Sequence, residues 1–179
     1  YIIGEEILEA FEEVKNDLRL QADQALYYVP DGGRKPLPEG FLDLNLATEK
    51  ASESNPPTTV DVTPADNIAY VFTSGTTGGM PKAAILKHGR LVRSRYLNGK
   101  VVLNLKPGDT IYIPLPFFHT NALALSWPTV FASGSAVAIR RKFSVSNFWQ
   151  DVHRFNVTVW CYVGELCRYL INQPPRPED

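Results

Sequence analysis

Along the second part of the chain, short apolar runs alternate with stretches of helical periodicity. The runs at 68–72, 83–86, 110–113, 135–139 and 157–162 have the length of buried strands, and the segments near 88–103, 120–132, 145–155 and 164–172 read as helices. A Lys106-Pro107-Gly108-Asp109 turn leads into the run at 110. Strand and helix in this alternation predict βαβ units, and so an α/β fold with a mostly parallel sheet and helices on both faces.

Earlier in the chain, Tyr1-Ile2-Ile3-Gly4 reads as a strand already inside a fold. Gly4 to Leu20 reads as an amphipathic helix with Ile7, Leu8, Phe11, Val14 and Leu18 on its apolar side, and Ala25 to Val29 as the next strand. From Pro30 to Thr63 the composition turns to Pro, Gly, Ser, Thr and Glu, the pattern of a surface connector in which only Phe41 to Leu46 can dock. Thr110 to Ile139 lacks any charged side chain, yet Pro114, Pro116, Pro128 and Gly134 interrupt it. A membrane span needs about 20 apolar residues in continuous helix, so this stretch reads as buried strand, helix and strand. The start at Tyr1 and the Pro174–Asp179 tail suggest a fragment, one partial domain over 1–179.

Composition narrows the function classes. With 179 residues, 44% hydrophobic and 21% charged, the sequence is that of an ordinary globular chain. The net charge of -1 supplies no global field toward nucleic acid or an anionic membrane, so any phosphate binding is local. Cys161 and Cys167 form no CxxC and the three histidines no ligand cluster, which argues against a disulfide scaffold or a zinc site and fits a reducing, intracellular setting. Both cysteines read as small buried residues.

The chemistry concentrates between the strands at 68–72 and 83–86. Residues 73–82, Thr-Ser-Gly-Thr-Thr-Gly-Gly-Met-Pro-Lys, combine glycines that let backbone N–H groups converge on an anion, hydroxyls that donate, and one mobile cation. That set suits a polyphosphate. It is not a Walker A loop, since Pro81 precedes Lys82 and Ala83 follows it, nor a GxGxxG fingerprint. A plain Ser/Thr/Gly hairpin is the structural alternative. A second constellation, Pro114-Leu115-Pro116-Phe117-Phe118-His119-Thr120-Asn121, leaves a strand and opens a helix, where open α/β sheets place ligands.

Tyr70-Val71-Phe72-Thr73-Ser74-Gly75-Thr76-Thr77-Gly78, followed by Pro81-Lys82, resembles the AMP-binding signature of the adenylate-forming superfamily. Lys82-Ala83-Ala84-Ile85, Leu115-Pro116-Phe117-Phe118-His119, Arg141-Lys142-Phe143-Ser144, Phe148-Trp149 and the stretch Tyr162 to Leu170 resemble the fatty acid transport protein and very-long-chain acyl-CoA synthetase subfamily. The resemblance runs from about Asn67 to Asp179. It implies part of the large N-terminal domain of a ligase that activates a fatty acid with ATP and Mg2+, through an acyl adenylate, and passes the acyl group to coenzyme A. Thr73, Ser74, Gly75, Thr76, Thr77, Gly78 and Lys82 would then hold phosphate, His119 would stand near the acyl carboxylate and α-phosphate, and Phe117 or Phe118 would form a pocket wall. Membrane contact of the parent would be peripheral.

The chain departs from the family pattern in one place, because both Gly79 and Met80 separate the last signature glycine from Pro81-Lys82. The extra residue costs little closure entropy but alters the reach of Lys82. The sequence also lacks the Tyr-Gly-x-Thr-Glu segment, the ribose-binding Thr-Gly-Asp and the small C-terminal domain of the family, so these residues alone are expected to be inactive. Trp127, Phe131, Trp149 and Trp160 read as core rather than an acyl tunnel. Glu165 reads as a carboxylate favoured at a helix start, and Arg140, Arg141 and Lys142 as a solvated turn, with coenzyme A phosphates or lipid headgroups as the alternative. Two other readings stay open: an adenylating enzyme for an aryl or amino acid, and a non-catalytic module that binds fatty acid or nucleotide. A P-loop phosphotransferase is disfavoured by the missing Lys-Ser/Thr pair.

Overall fold

Thr110 to Ile113 is the centre of the larger part of the molecule, in the computed structural model that describes residues 1–21, 23–32, 36–73 and 80–175. Chain contacts divide into two compact units, Tyr1–Thr59 and Val60–Asp179.

In the first unit, β1 (Ile2–Gly4), β2 (Tyr27–Val29) and β3 (Leu42–Asp43) form a parallel sheet in that order. The helix expected from Gly4 to Leu20 is α-helical only over α1 (Leu8–Val14), with short 3-10 turns at Glu5–Ile7 and Lys15–Leu18. Arg19 then takes a left-handed conformation and ends it. Of the apolar stripe only Phe11 is buried, because the core beneath is small: Ile3, Phe11, Tyr28 and Phe41, with Phe41 edge-on to Phe11 at 6.0 Å and to Tyr28 at 6.3 Å. The Phe41 to Leu46 patch, the part of the connector expected to dock, contributes Phe41 to the core and β3 to the sheet. The connector also carries α2 (Leu44–Glu49), whose first turn is capped by Asp43 accepting from Asn45 N at 2.8 Å.

In the second unit, β4 (Asn67–Thr73) and β5 (Lys82–Lys87) form an antiparallel hairpin, unlike the parallel pairing of the other strands. Helix α3 (His88–Ser94) continues as a π-helical segment, Arg95–Val102, closed by bonds five residues apart such as Leu103 N to Asn98 O at 2.9 Å. After β6 (Thr110–Ile113) come a second π-helical segment (Asn121–Ser126), α4 (Thr129–Ser133), β7 (Ala136–Ile139), α5 (Phe148–Arg154), β8 (Val159–Trp160) and α6 (Gly164–Ile171).

The sheet β7-β6-β8 is parallel with β6 in the middle. Successive side chains of a strand point to opposite faces. Ile111 and Ile113 accordingly pack with Ala122 and Val130 on one face, and Tyr112 packs with Ala138 and Phe148 on the other. Both faces are covered by helices, which is why β6 is buried throughout rather than alternating. Gly99 lets the first π-helical segment approach α4, since a Cβ there would lie 2.6 Å from the Thr129 carbonyl oxygen.

Tyr112 also carries a polar group into this interior. Its hydroxyl donates to Asp151 Oδ2 at 2.8 Å, and Arg140 Nη1 bonds the same oxygen. Arg140, read from the sequence as part of a solvated cluster, thus joins β7 to α5 through an ion pair. Trp149 and Trp160 pack around Phe148 and Trp127 lies against the other face, as expected for core aromatics, whereas Phe131 is 60% exposed. Glu165 bonds Arg168 one turn along α6, an exposed pair rather than a helix-start effect alone. No helix among the described residues is long and apolar enough to cross a membrane.

Candidate functional site

The hairpin carries the loop that sequence reasoning singled out. Thr73 and Lys82 are register partners at its open end, and Thr73 Oγ1 donates to the Lys82 carbonyl oxygen at 3.3 Å. Lys82 is exposed. Ser74, Gly75, Thr76, Thr77 and Gly78 lie outside the described residues. Between Asp66 and Asp109 the chain has no acidic side chain, while Lys82, Lys87, Arg90, Arg93, Arg95, Lys100 and Lys106 are cationic. The near-zero net charge conceals this local positive field, which favours a polyanion near the loop.

The segment after β6 divides its two phenylalanines. Phe117 is half-buried against Trp127, ring centres 6.3 Å apart, while Phe118 is 70% exposed with its ring 4.6 Å from that of His119. His119 is exposed and its backbone is fixed, N–H to Pro116 O at 3.1 Å and carbonyl accepting from Leu123 N at 3.1 Å. Of the two phenylalanines expected to offer a pocket wall, Phe117 is partly buried and Phe118 is at the surface.

Next to this segment lies a cavity of about 270 Å3 that the sequence did not reveal. Its apolar lining includes Val102, Leu103, Ile111, Leu125 and Val159, and its polar lining Asn98, Asn121, Ser126 and Cys161. It opens where β8 ends, the edge at which parallel sheets bind ligands. Both π-helical segments border it, and Asn98 joins them, its Nδ2 donating to Ser94 Oγ at 2.9 Å and to the Leu125 carbonyl at 3.4 Å. Cys161 is half-buried, not fully buried as expected, and burial pushes its thiol pKa up despite an opposing bond from Ser126. The thiol donates to Asn121 Oδ1. A larger hollow of about 600 Å3 is lined by Val92, Arg95, Tyr96, Lys100, Phe131 and Ala132, from the first π-helical segment, α3 and α4.

Residues 7–179 match the family described as AMP-binding enzyme. The chain belongs to that family. This AMP-binding chain is 41% identical over 137 residues to the medium/long-chain-fatty-acid–CoA ligase FadD6 of Mycobacterium tuberculosis, a match covering 76% of this chain and 23% of FadD6. It is 36% identical over 176 residues to long-chain fatty acid transport protein 2 of Rattus norvegicus, covering 97% of this chain and 27% of that protein. It spans about a quarter of the length of these curated relatives. Among solved structures, the long-chain-fatty-acid–CoA ligase FadD1 of Archaeoglobus fulgidus superposes with a TM-score of 0.72 at 23% identity, over 96% of this chain and 31% of that one. That likeness bears out the α/β architecture.

Proposed function

We propose that this AMP-binding chain is part of a fatty acid–CoA ligase that activates a long-chain or very-long-chain fatty acid with ATP, through an acyl adenylate, and transfers the acyl group to coenzyme A. The apolar cavity at the strand ends carries the reading, because it continues from the segment that holds His119. The names of the relatives support the substrate class.

The chemical difficulty is that a carboxylate must attack an anionic α-phosphate. Lys82 and the hydroxyls of Thr73, Ser74, Thr76 and Thr77, with the loop amides of Gly75 and Gly78, would offset phosphate charge as pyrophosphate leaves. His119 would orient the carboxylate, with Phe118 beside it, and the cavity would exclude water from the acyl tail. Magnesium supplies charge neutralisation on the phosphates when bound. Among the described residues there is no group of three or more His, Cys, Asp or Glu placed to hold a metal ion. The exposed apolar face of the hairpin, where Tyr70, Phe72 and Ile85 are each more than half exposed, supports a longer working chain that covers it.

ATP–pyrophosphate exchange with a panel of carboxylates tests this in the full-length protein. Stimulation by long-chain fatty acids is the expected result. Stimulation only by aryl or amino acids would replace the substrate class, and fatty acid binding without exchange would make the protein a binding module.

A further inference from the structure

Within the cavity, the carboxamide of Asn121 is held by its oxygen. Oδ1 accepts from the Cys161 thiol and lies 3.4 Å from Ser126 Oγ, whose hydroxyl also reaches the Asn121 backbone carbonyl at 2.9 Å. Both contacts fall on the same end of the amide, so Oδ1 faces Cys161 and Ser126. That leaves the Nδ2 protons, and no hydrogen bond from Nδ2 is made among the described residues. The other polar side chains of the cavity are differently placed: Asn98 Nδ2 is committed to Ser94 and Leu125, and Tyr162 stacks on Trp160 with ring centres 5.1 Å apart. Nδ2 is thus an uncommitted donor at the polar end of a cavity lined also by Val102, Leu103, Ile111, Leu125 and Val159, available to an oxygen of the occupant.

We infer that Asn121 is a positioning residue whose Nδ2 donates to the acyl carboxylate or carbonyl oxygen of the substrate, with the hydrocarbon tail lying along the apolar wall. The inference rests on the fatty acid reading of the cavity. It sets the direction of the substrate: oxygen at Asn121, two residues beyond His119, and the tail toward Leu125 and Val102. Free fatty acid and acyl adenylate share the recognised atom, the carbonyl oxygen.

The test compares binding of decanoate and of decyltrimethylammonium to the full-length protein by calorimetry. The two probes have similar tails and opposite heads, and only decanoate accepts a hydrogen bond. Wild type is expected to prefer decanoate. Asn121→Leu should weaken decanoate roughly 10–100-fold, the range for losing a hydrogen bond to a charged group, and leave the cation unchanged. Asn121→Asp should invert the preference, a change that loss of packing cannot produce. Leu125→Trp, which fills the cavity, should abolish both. Loss with Leu125→Trp but unchanged decanoate binding in both Asn121 variants would overturn the role of Asn121 while leaving the cavity reading intact. Unchanged binding in Leu125→Trp would remove the cavity reading and the inference together. Thermal melts of each variant identify any that fails to fold; the two Asn121 variants then stand in for each other.

Discussion

The Tyr112–Asp151–Arg140 cluster should dominate the stability of the parallel sheet. Tyr112 is 1% exposed, its hydroxyl 2.8 Å from Asp151 Oδ2, and the Asp151 and Arg140 side chains are 12% and 30% exposed. Tyr112→Phe removes one hydrogen bond to a charged acceptor and leaves the ion pair, a loss of about 1.5–3 kcal/mol. Asp151→Ala strands both the buried hydroxyl and the guanidinium, which puts it at about 3–5 kcal/mol, toward the lower end because Arg140 can turn to water. Urea unfolding with a double-mutant cycle measures the coupling. A pH series adds an independent check. Burial, and then the bond and charge of Asp151, hold the Tyr112 phenol well above its ordinary 10.0. The folded state thus keeps its proton where the unfolded chain loses it. Stability from this group is complete below pH 10 and declines as pH rises beyond it, by about 1.4 kcal/mol per pH unit. Tyr112→Phe should remove that component of the alkaline decline. If Tyr112→Phe unfolds within about 0.5 kcal/mol of wild type, a bound within ordinary surface-substitution scatter, the buried network is not a stabilising unit.

Three further outcomes follow from other parts of the molecule. Gly99→Ala sets a Cβ 2.6 Å from the Thr129 carbonyl oxygen, so it should lose about 1–3 kcal/mol in denaturant unfolding; a stable variant would mean the helices separate freely. Lys82→Ala should raise the KM for ATP roughly 10–100-fold and leave fatty acid binding alone, and unchanged ATP kinetics would exclude a phosphate contact. Asp109 accepts from Lys106 N at 2.8 Å and from the Thr158 hydroxyl at 2.9 Å, which lowers its pKa from the ordinary 3.8. Its stabilisation is present above that value and lost as pH falls through the lower folded value, so Asp109→Asn should flatten the acid limb of a pH–Tm profile; an identical limb would refute the assignment.

Periodicity made the alternating elements of the second unit legible, because strands buried on both faces and helices between them leave long apolar runs. It could not say which face a residue serves. Asp151 sits on a helix, and only the fold brings its carboxylate to the Tyr112 hydroxyl. Phe131 has the composition of a core residue, yet it projects outward from a five-residue helix. In the first unit, Phe41 joins the core from the one patch of its Pro-rich surroundings whose apolar residues marked it as able to dock. The loop chemistry of Thr73 and Lys82 was written in adjacent letters. The cavity was not, since Asn98, Asn121 and Cys161 meet from three separate segments and no local pattern joins them.

The hairpin has a consequence for handling the protein. Strands β4 and β5 pair only with each other among the described residues, so each offers an unbonded outer edge. Tyr70 and Ile85 are partners across the ladder, as are Phe72 and Ala83, which lines one face of the ribbon with apolar side chains while Val71 and Leu86 bury the other. An open edge beside an uncovered apolar face is a template for strands from another molecule. The isolated 179 residues should therefore associate as concentration rises, with Lys82 and Lys87 at the ribbon ends slowing the process as charged gatekeepers.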